Sequence, residues 1–335
     1  MKCIFGPVNS RRLGRSLGID LFSSKICNLN CIYCEVGRTA SPVGERGDYS
    51  DIQAIAAEID AVCADAARMA AVDVLTVTAK GEPTLHRGLG AILRHIKQRT
   101  EKPVAVLTNG TTLTDPEVRR DLLVADLVVP SLDAARPETF QRVDRPVAGL
   151  DLHEAIAGLT TFSHQYAGKL WLEILLVQGV NDAPEDVEAL IAALRPMRID
   201  RIQLNTVVRP PAEGFALPVS RERLTEIARS FEKALGLPVD LPFVPTTGET
   251  APTLQGGRAN APAANDAVVQ EIIEMLQRRP CTAADIDRTF QLGGPDKIEQ
   301  LLEPLICSGV LQRQDHGDHR FYQHASCLIG LATPG

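Results

Sequence analysis

The feature that most constrains the fold is a recurrence of short, continuously apolar runs, each followed by a segment with helical patterning. The runs are "LGIDLF" (17–22), "VLTVTA" (74–79), "VAVLTN" (104–109), "LVVPSL" (127–132), "LWLEILLV" (170–177) and "RIQLNTV" (201–207). Continuous rather than alternating hydrophobicity suits parallel strands covered on both faces. Between them, Ile52, Ile55, Ile59, Val62 and Cys63 fall on one helical stripe with Ser50 or Asp51 available as N-cap, which places Cys63 in the core. Further helices are expected over 89–99, 116–123, 152–162, 184–194 and 220–235. Six strands alternating with helices give an α/β fold, a partial (β/α)6 TIM-type barrel, with 238–243 as a candidate closing strand. Active residues in such a fold sit at the C-terminal ends of the strands.

Residues 246–266 are rich in Gly, Ala, Pro and Thr without apolar periodicity and read as a linker. Beyond it, 267–279, 282–290 and 295–309 have helical patterns, and 310–323 reads as a hairpin turning at Gly317. The expected organisation is therefore a barrel over 1–245, a linker over 246–266 and a small winged-helix-like domain over 267–335. A net charge of −7 argues against binding nucleic acid through the whole surface while leaving a local basic patch open, and 4% aromatic residues leave little for stacking bases. No apolar run suits a signal peptide or a membrane span, so the expected location is cytoplasmic, with no membrane partner. Eight cysteines are too sparse for a disulfide scaffold. Three of them crowd into one loop, which suits metal ligation in a reducing compartment.

That loop, "KICNLNCIYCEVG" (25–37), presents Cys27, Cys31 and Cys34 with three and then two intervening residues. Three thiolates are one short of a closed tetrahedral zinc site. They suit either zinc with a fourth ligand elsewhere or an iron–sulfur cluster with one iron left open. Lys25, with Arg11, Arg12 and Arg15 upstream, supplies positive charge that favours thiolates. At the end of the second strand, "TAKGEPTL" (78–85) combines Gly81 for close backbone approach, the charge of Glu82 and the stiffness of Pro83.

The motif "CNLNCIYC", followed by this Gly-Glu-Pro turn, resembles the signature of the radical S-adenosylmethionine (SAM) superfamily. The resemblance implies an enzyme in which Cys27, Cys31 and Cys34 ligate a [4Fe-4S] cluster. SAM then chelates the open iron and is cleaved reductively to methionine and a 5′-deoxyadenosyl radical, which abstracts hydrogen from substrate. It also implies an external electron donor such as flavodoxin or ferredoxin. By the same resemblance Tyr33 lies near the SAM adenine, the turn at Gly81, Glu82 and Pro83 accepts from the SAM ammonium, and Asn109, Ser131 and Asp133 help hold the ribose or carboxylate.

Arg142 and Arg145, in "FQRVDRPVAG", are candidates for a SAM or substrate carboxylate or phosphate, beside the alternative of a solvated helix end. Glu173, a charge within an apolar strand, is a candidate catalytic residue facing the lumen, and Asn205 is a further strand-end candidate. Lys80 is a second catalytic candidate, able to form a Schiff base with a carbonyl substrate, against the alternative of a solvated lysine.

"FGPVNSRRLGRSLGIDL" and "GEPTLH" are similar to a branch grouped with wyosine synthases, over residues 1 to about 245. That branch's second cluster needs three upstream cysteines, and only Cys3 stands there. Two substrate classes remain open: RNA or a nucleotide-like molecule, and a peptide, protein or small metabolite. The third C-terminal helix carries Asp296, Glu299 and Glu303 against Lys297, a poor face for phosphates, which leaves protein recognition or packing on the barrel beside nucleic-acid binding. A cluster-containing transcriptional regulator is a third, non-enzymatic reading. Cys281, Cys307 and Cys327, near His316, His319 and His324, are considered as a second metal site, against ordinary buried cysteines.

Overall fold

The computed structural model describes residues 3–10, 13–242 and 266–325. Most of the expected linker, Phe243, Arg11, Arg12 and Cys327 lie outside the described residues. An eight-stranded sheet has its strands in chain order: β1 (Ile4–Ser10), β2 (Gly14–Asp20), β3 (Val74–Thr78), β4 (Val104–Thr108), β5 (Leu127–Pro130), β6 (Lys169–Leu176), β7 (Arg201–Thr206) and β8 (Val239–Asp240). β1 runs antiparallel to β2, and every later neighbouring pair is parallel. Strands β2 to β7 are the six apolar runs read from the sequence. The sheet is open among the described residues, and the closing strand is reduced to two residues.

The crossovers carry α1 (Ile52–Ala64), α2 (Ala66–Ala70), α3 (Leu89–Arg99), α4 (Pro116–Leu122), α5 (Pro137–Val143), α6 (Leu152–Gln165), α7 (Pro184–Leu194) and α8 (Arg221–Leu235). Their starts follow from sequence. The Asp51 carboxylate accepts from Gln53 N–H and Ala54 N–H ahead of α1, and α4, α5 and α7 open on proline, whose missing N–H is an orphan at that position anyway. Ile55 and Ile59 bury the inner stripe of α1, while Cys63 is only partly buried at its edge rather than inside the core. β6 departs from the continuous pattern. Leu170, Leu172, Ile174 and Leu176 are buried on one face, and Trp171, Glu173 and Leu175 are less covered on the other.

The C-terminal part comprises α9 (Asp266–Leu276), β9 (Cys281–Thr282), α10 (Ala283–Phe290), α11 (Pro295–Cys307), β10 (Leu311–His316) and β11 (His319–His324). The expected hairpin forms, and β9 adds a third strand to it. Thr282 and Asp285 build a reciprocal capping box that starts α10. Ile272, Leu276, Ile286, Ile298 and Leu302 form a small apolar core, which Val8 of β1 joins. Cys281 is buried within this core and Cys307 is exposed. Among the described residues no group of three His, Cys, Asp or Glu is placed to hold one metal ion, so the second metal site gains no support there.

Candidate functional site

The loop after β2 folds back across the C-terminal ends of the strands. Ile26 pairs with Gly81 as an isolated parallel bridge: Ile26 N–H donates to Lys80 O at 2.9 Å, and Glu82 N–H donates to Ile26 O at 2.8 Å. On the other side, Asn30 N–H and Ile32 N–H donate to Asp144 O and Val143 O. The loop so held forms one wall of a cavity of about 270 Å³, lined by Cys27, Cys31 and Cys34 and, from the strand ends, by Glu82, Asn109 and Glu173 among others. This is where a β/α fold keeps its reactive groups.

The three thiols line this one space. That suits a group that meets each thiolate through a different iron. Lys25 Nζ lies 3.1 Å from Cys34 Sγ and also donates to Gly37 O. Arg15 does not join it, because its guanidinium pairs with Asp73 at 2.7 Å. Burial pushes the Cys27 thiol up to about 12 and the Cys31 thiol well above its ordinary value, with nearby carboxylates adding to both. Burial thus favours the protonated form of Cys27 and Cys31, and a bound cationic group is what would turn them into thiolates. The donor set fits an iron–sulfur cluster on that ground.

Glu82 is buried, and its carboxylate is already engaged. Oε1 accepts from Thr84 N–H at 3.0 Å, Thr84 Oγ1 at 2.6 Å and Thr108 Oγ1 at 2.6 Å, and Oε2 accepts from Asn109 N–H. Burial raises its carboxyl against these four donors. Glu82 thus ties the end of β3 to the end of β4. Asn109 continues the chain, donating from Nδ2 to Asn28 Oδ1 at 2.8 Å and accepting from Thr111 Oγ1 at 2.7 Å, while Asn28 Nδ2 donates to Thr111 Oγ1 at 2.7 Å.

Across the cavity, Tyr33 donates its hydroxyl proton to Asp133 Oδ2, and Leu175 N–H donates to Asp133 Oδ1 at 2.7 Å. Burial, with the charge of Glu173 adding, lifts the Asp133 carboxyl to about 7. Asp144, buried beside Cys31, is lifted well above the carboxylate range by burial and then by Asp133.

Most of the residues singled out from sequence meet here: the three cysteines, Tyr33, Gly81, Glu82, Asn109, Ser131, Asp133 and Glu173 all line the cavity. Others do not. Pro83 is buried as the first residue of a short 3-10 turn rather than lining the cavity. Arg145 Nη1 donates to Glu213 Oε1 at 2.6 Å, and Arg142 Nη2 donates to Val180 O at 2.8 Å. Lys80 and Asn205 stand outside the lining, and the Lys80 N–H donates to Asp20 Oδ1 at 3.0 Å. The close approach expected of Gly81 is made to the cysteine loop, since a Cβ there would sit 1.7 Å from Ile26 O. Sequence reading missed Asp144, Asn28 and Thr108: Asn28 stands between the first two cysteines and Thr108 just before Asn109, but their partners Thr111 and Glu82 come from other segments.

The pattern defining the radical SAM superfamily matches residues 21–194, the stretch that holds this cavity wall and the four strands β3 to β6. The chain belongs to the radical SAM superfamily. Membership makes it an enzyme and implies an iron–sulfur cluster and SAM as cofactors. A "UPF0026 protein" of Helicobacter pylori is 33% identical over 302 residues, which are 89% of this chain and 91% of that protein. A Brachyspira hyodysenteriae protein named "GTPase Obg" is 32% identical over 313 residues, and this radical SAM chain spans only 44% of its length. A TYW1 structure with a lysine-pyruvate adduct bound shares the fold at a TM-score of 0.51 and 14% identity, over 68% of this chain and 76% of that one.

Proposed function

We propose that Cys27, Cys31 and Cys34 hold a [4Fe-4S] cluster with one iron left for SAM, and that the enzyme abstracts hydrogen from a substrate held in the cavity. The observation that carries this reading is the placement of all three thiols on the wall of a single cavity at the strand C-termini. A cluster held by these cysteines would supply the electron for reductive cleavage of SAM to methionine and a 5′-deoxyadenosyl radical. The chain's own residues do the rest. Lys25 lies against Cys34, where it would offset thiolate charge, and the Glu82–Asn109–Asn28 network fixes a cavity floor that would support SAM. Tyr33 and Asp133 close the opposite side, and Ser131 and Glu173 face the remaining space. Apolar lining from Leu107, Val129, Phe140 and Leu159 excludes water from a reactive radical.

We read the three helices and three-stranded sheet of the C-terminal part as winged-helix-like, and its charges support a peptide or small-metabolite substrate over RNA. Asp296, Glu299 and Glu303 are exposed along α11, Arg313 pairs with Glu303 at 3.4 Å, and Arg320 pairs with Asp315 at 3.3 Å. Its arginines are thereby partly offset before any phosphate arrives. The proposal is tested by anaerobic reconstitution with iron and sulfide. The parent protein is expected to retain about four irons per chain, and Cys27→Ser, Cys31→Ser and Cys34→Ser each to lose most of them. Equal iron in the parent and the triple substitution would sink the assignment.

A further inference from the structure

Asp20 ends β2 just before the cysteine loop, and its side chain is 1% exposed. Oδ1 accepts from Phe22 N–H at 3.1 Å and from Lys80 N–H at 3.0 Å. One oxygen thereby joins the entry of the cysteine loop to the entry of the Gly81–Glu82 turn. The other oxygen, Oδ2, faces Arg278, whose Nε is 3.4 Å away on a side chain only 9% exposed. Arg278 follows α9, so the partner of this buried carboxylate comes from the C-terminal part of the chain.

The arginine is fixed on several sides. Nη1 donates to Glu274 O at 2.7 Å, and the guanidinium carbon lies 4.3 Å from the centre of the Phe5 ring. Phe5 in turn covers Gly18 of β2, where a Cβ would meet the ring at 2.1 Å. Asn9 Nδ2 donates to Arg288 O at 2.8 Å, and Val8 is buried in the C-terminal core, so β1 is the seam between the two parts. Burial pushes the Asp20 carboxyl up and the Arg278 charge opposes it. A buried carboxylate that loses its partner is strongly destabilised.

We propose that Arg278 is a positioning residue for the site: reaching from the C-terminal part, it holds Asp20, and through Asp20 the cysteine loop and the Gly81–Glu82 turn. The C-terminal part is then a structural component of the site rather than a tethered accessory. The inference rests on the proposed reading of loop and turn as the cluster- and SAM-holding segments.

The test uses the full chain without metal, in the parent, Arg278→Met and Arg278→Lys. Iodoacetamide labelling is followed cysteine by cysteine, with buried Cys281 reporting whether the C-terminal core stays folded. Arg278→Met is expected to label Cys27, Cys31 and Cys34 at least about tenfold faster while Cys281 keeps the parent rate, and Arg278→Lys to stay within about threefold of the parent. In reconstituted protein the KM for SAM should rise in Arg278→Met by more than kcat falls. Unchanged loop labelling in Arg278→Met overturns the proposal. So does equal acceleration of Cys281 and the loop in both variants, which marks Arg278 as a stability element only. Failure of the parent to cleave SAM counts against the function reading and leaves the labelling result standing on its own.

Discussion

At Gly81 the backbone sits at φ +133 with the carbonyl of Ile26 where a side chain would begin. Only glycine tolerates both conditions, because the conformation is strained for any L-residue and the neighbour is backbone that cannot swing aside. Gly81→Ala is therefore expected to cost at least about 2 kcal/mol in urea denaturation and to weaken iron retention with it. A variant with the parent's midpoint would show that the loop is not pinned there. The need for a glycine was legible in "KGEPTL", but its partner was not. The sequence suggested close approach to a ligand, and the geometry brings the cysteine loop instead. Asp144 illustrates the same limit. Nothing in "RVDRP" marks a buried acid beside Cys31, since the cysteine loop that packs on it lies far away along the chain.

Among the elements, the short turn between β3 and α3 carries a pH dependence. The His86 ring is buried, its Nε2 lies 2.9 Å from Ser50 Oγ, and its Nδ1 accepts from Gly88 N–H at 2.9 Å. An Nδ1 that accepts holds no proton, and burial lowers the pKa of the ring below its ordinary value. The unfolded chain then binds a proton that the folded chain refuses. Stability from this group is present above about pH 6.5 and is lost as pH falls below that value toward the depressed folded pKa. Urea midpoints measured from pH 8 to pH 5 should fall more steeply in the parent than in His86→Gln, and parallel curves would contradict this account.

The same scale shows why some elements were readable and others not. β2 to β7 announce themselves as apolar runs, and α7 begins and ends where Pro184 and Leu194 place it. β1 hides behind Gly6, Pro7 and Asn9, which read as turn residues, because an edge strand tolerates them. β9 is too short for periodicity to show, and it forms only because β11 is there to pair with it.

At the scale of the whole molecule, no helix among the described residues is long and apolar enough to cross a membrane. A net charge of −7, an acidic α11 and paired arginines on the hairpin set an expectation about partners. Bulk tRNA should show no mobility shift at about 50 mM salt, where phosphate contacts bind most strongly. Retardation that disappears as salt is raised would favour an RNA substrate instead. The joint between the two parts of the chain lay beyond sequence reading for a simple reason. Asp20 and Arg278 are far apart along the chain, and nothing in either local sequence pairs them.

The central claim is that this chain cleaves SAM with an electron delivered at the three-cysteine loop. The most direct measurement is 5′-deoxyadenosine formed by the reconstituted protein under anaerobic reduction, in the parent and in Cys31→Ala. The account predicts steady formation by the parent and a loss of at least about a hundredfold in the variant, as expected for removing a group the reaction cannot proceed without. Equal rates in the two proteins, or no product from a parent that carries its cluster, would contradict it.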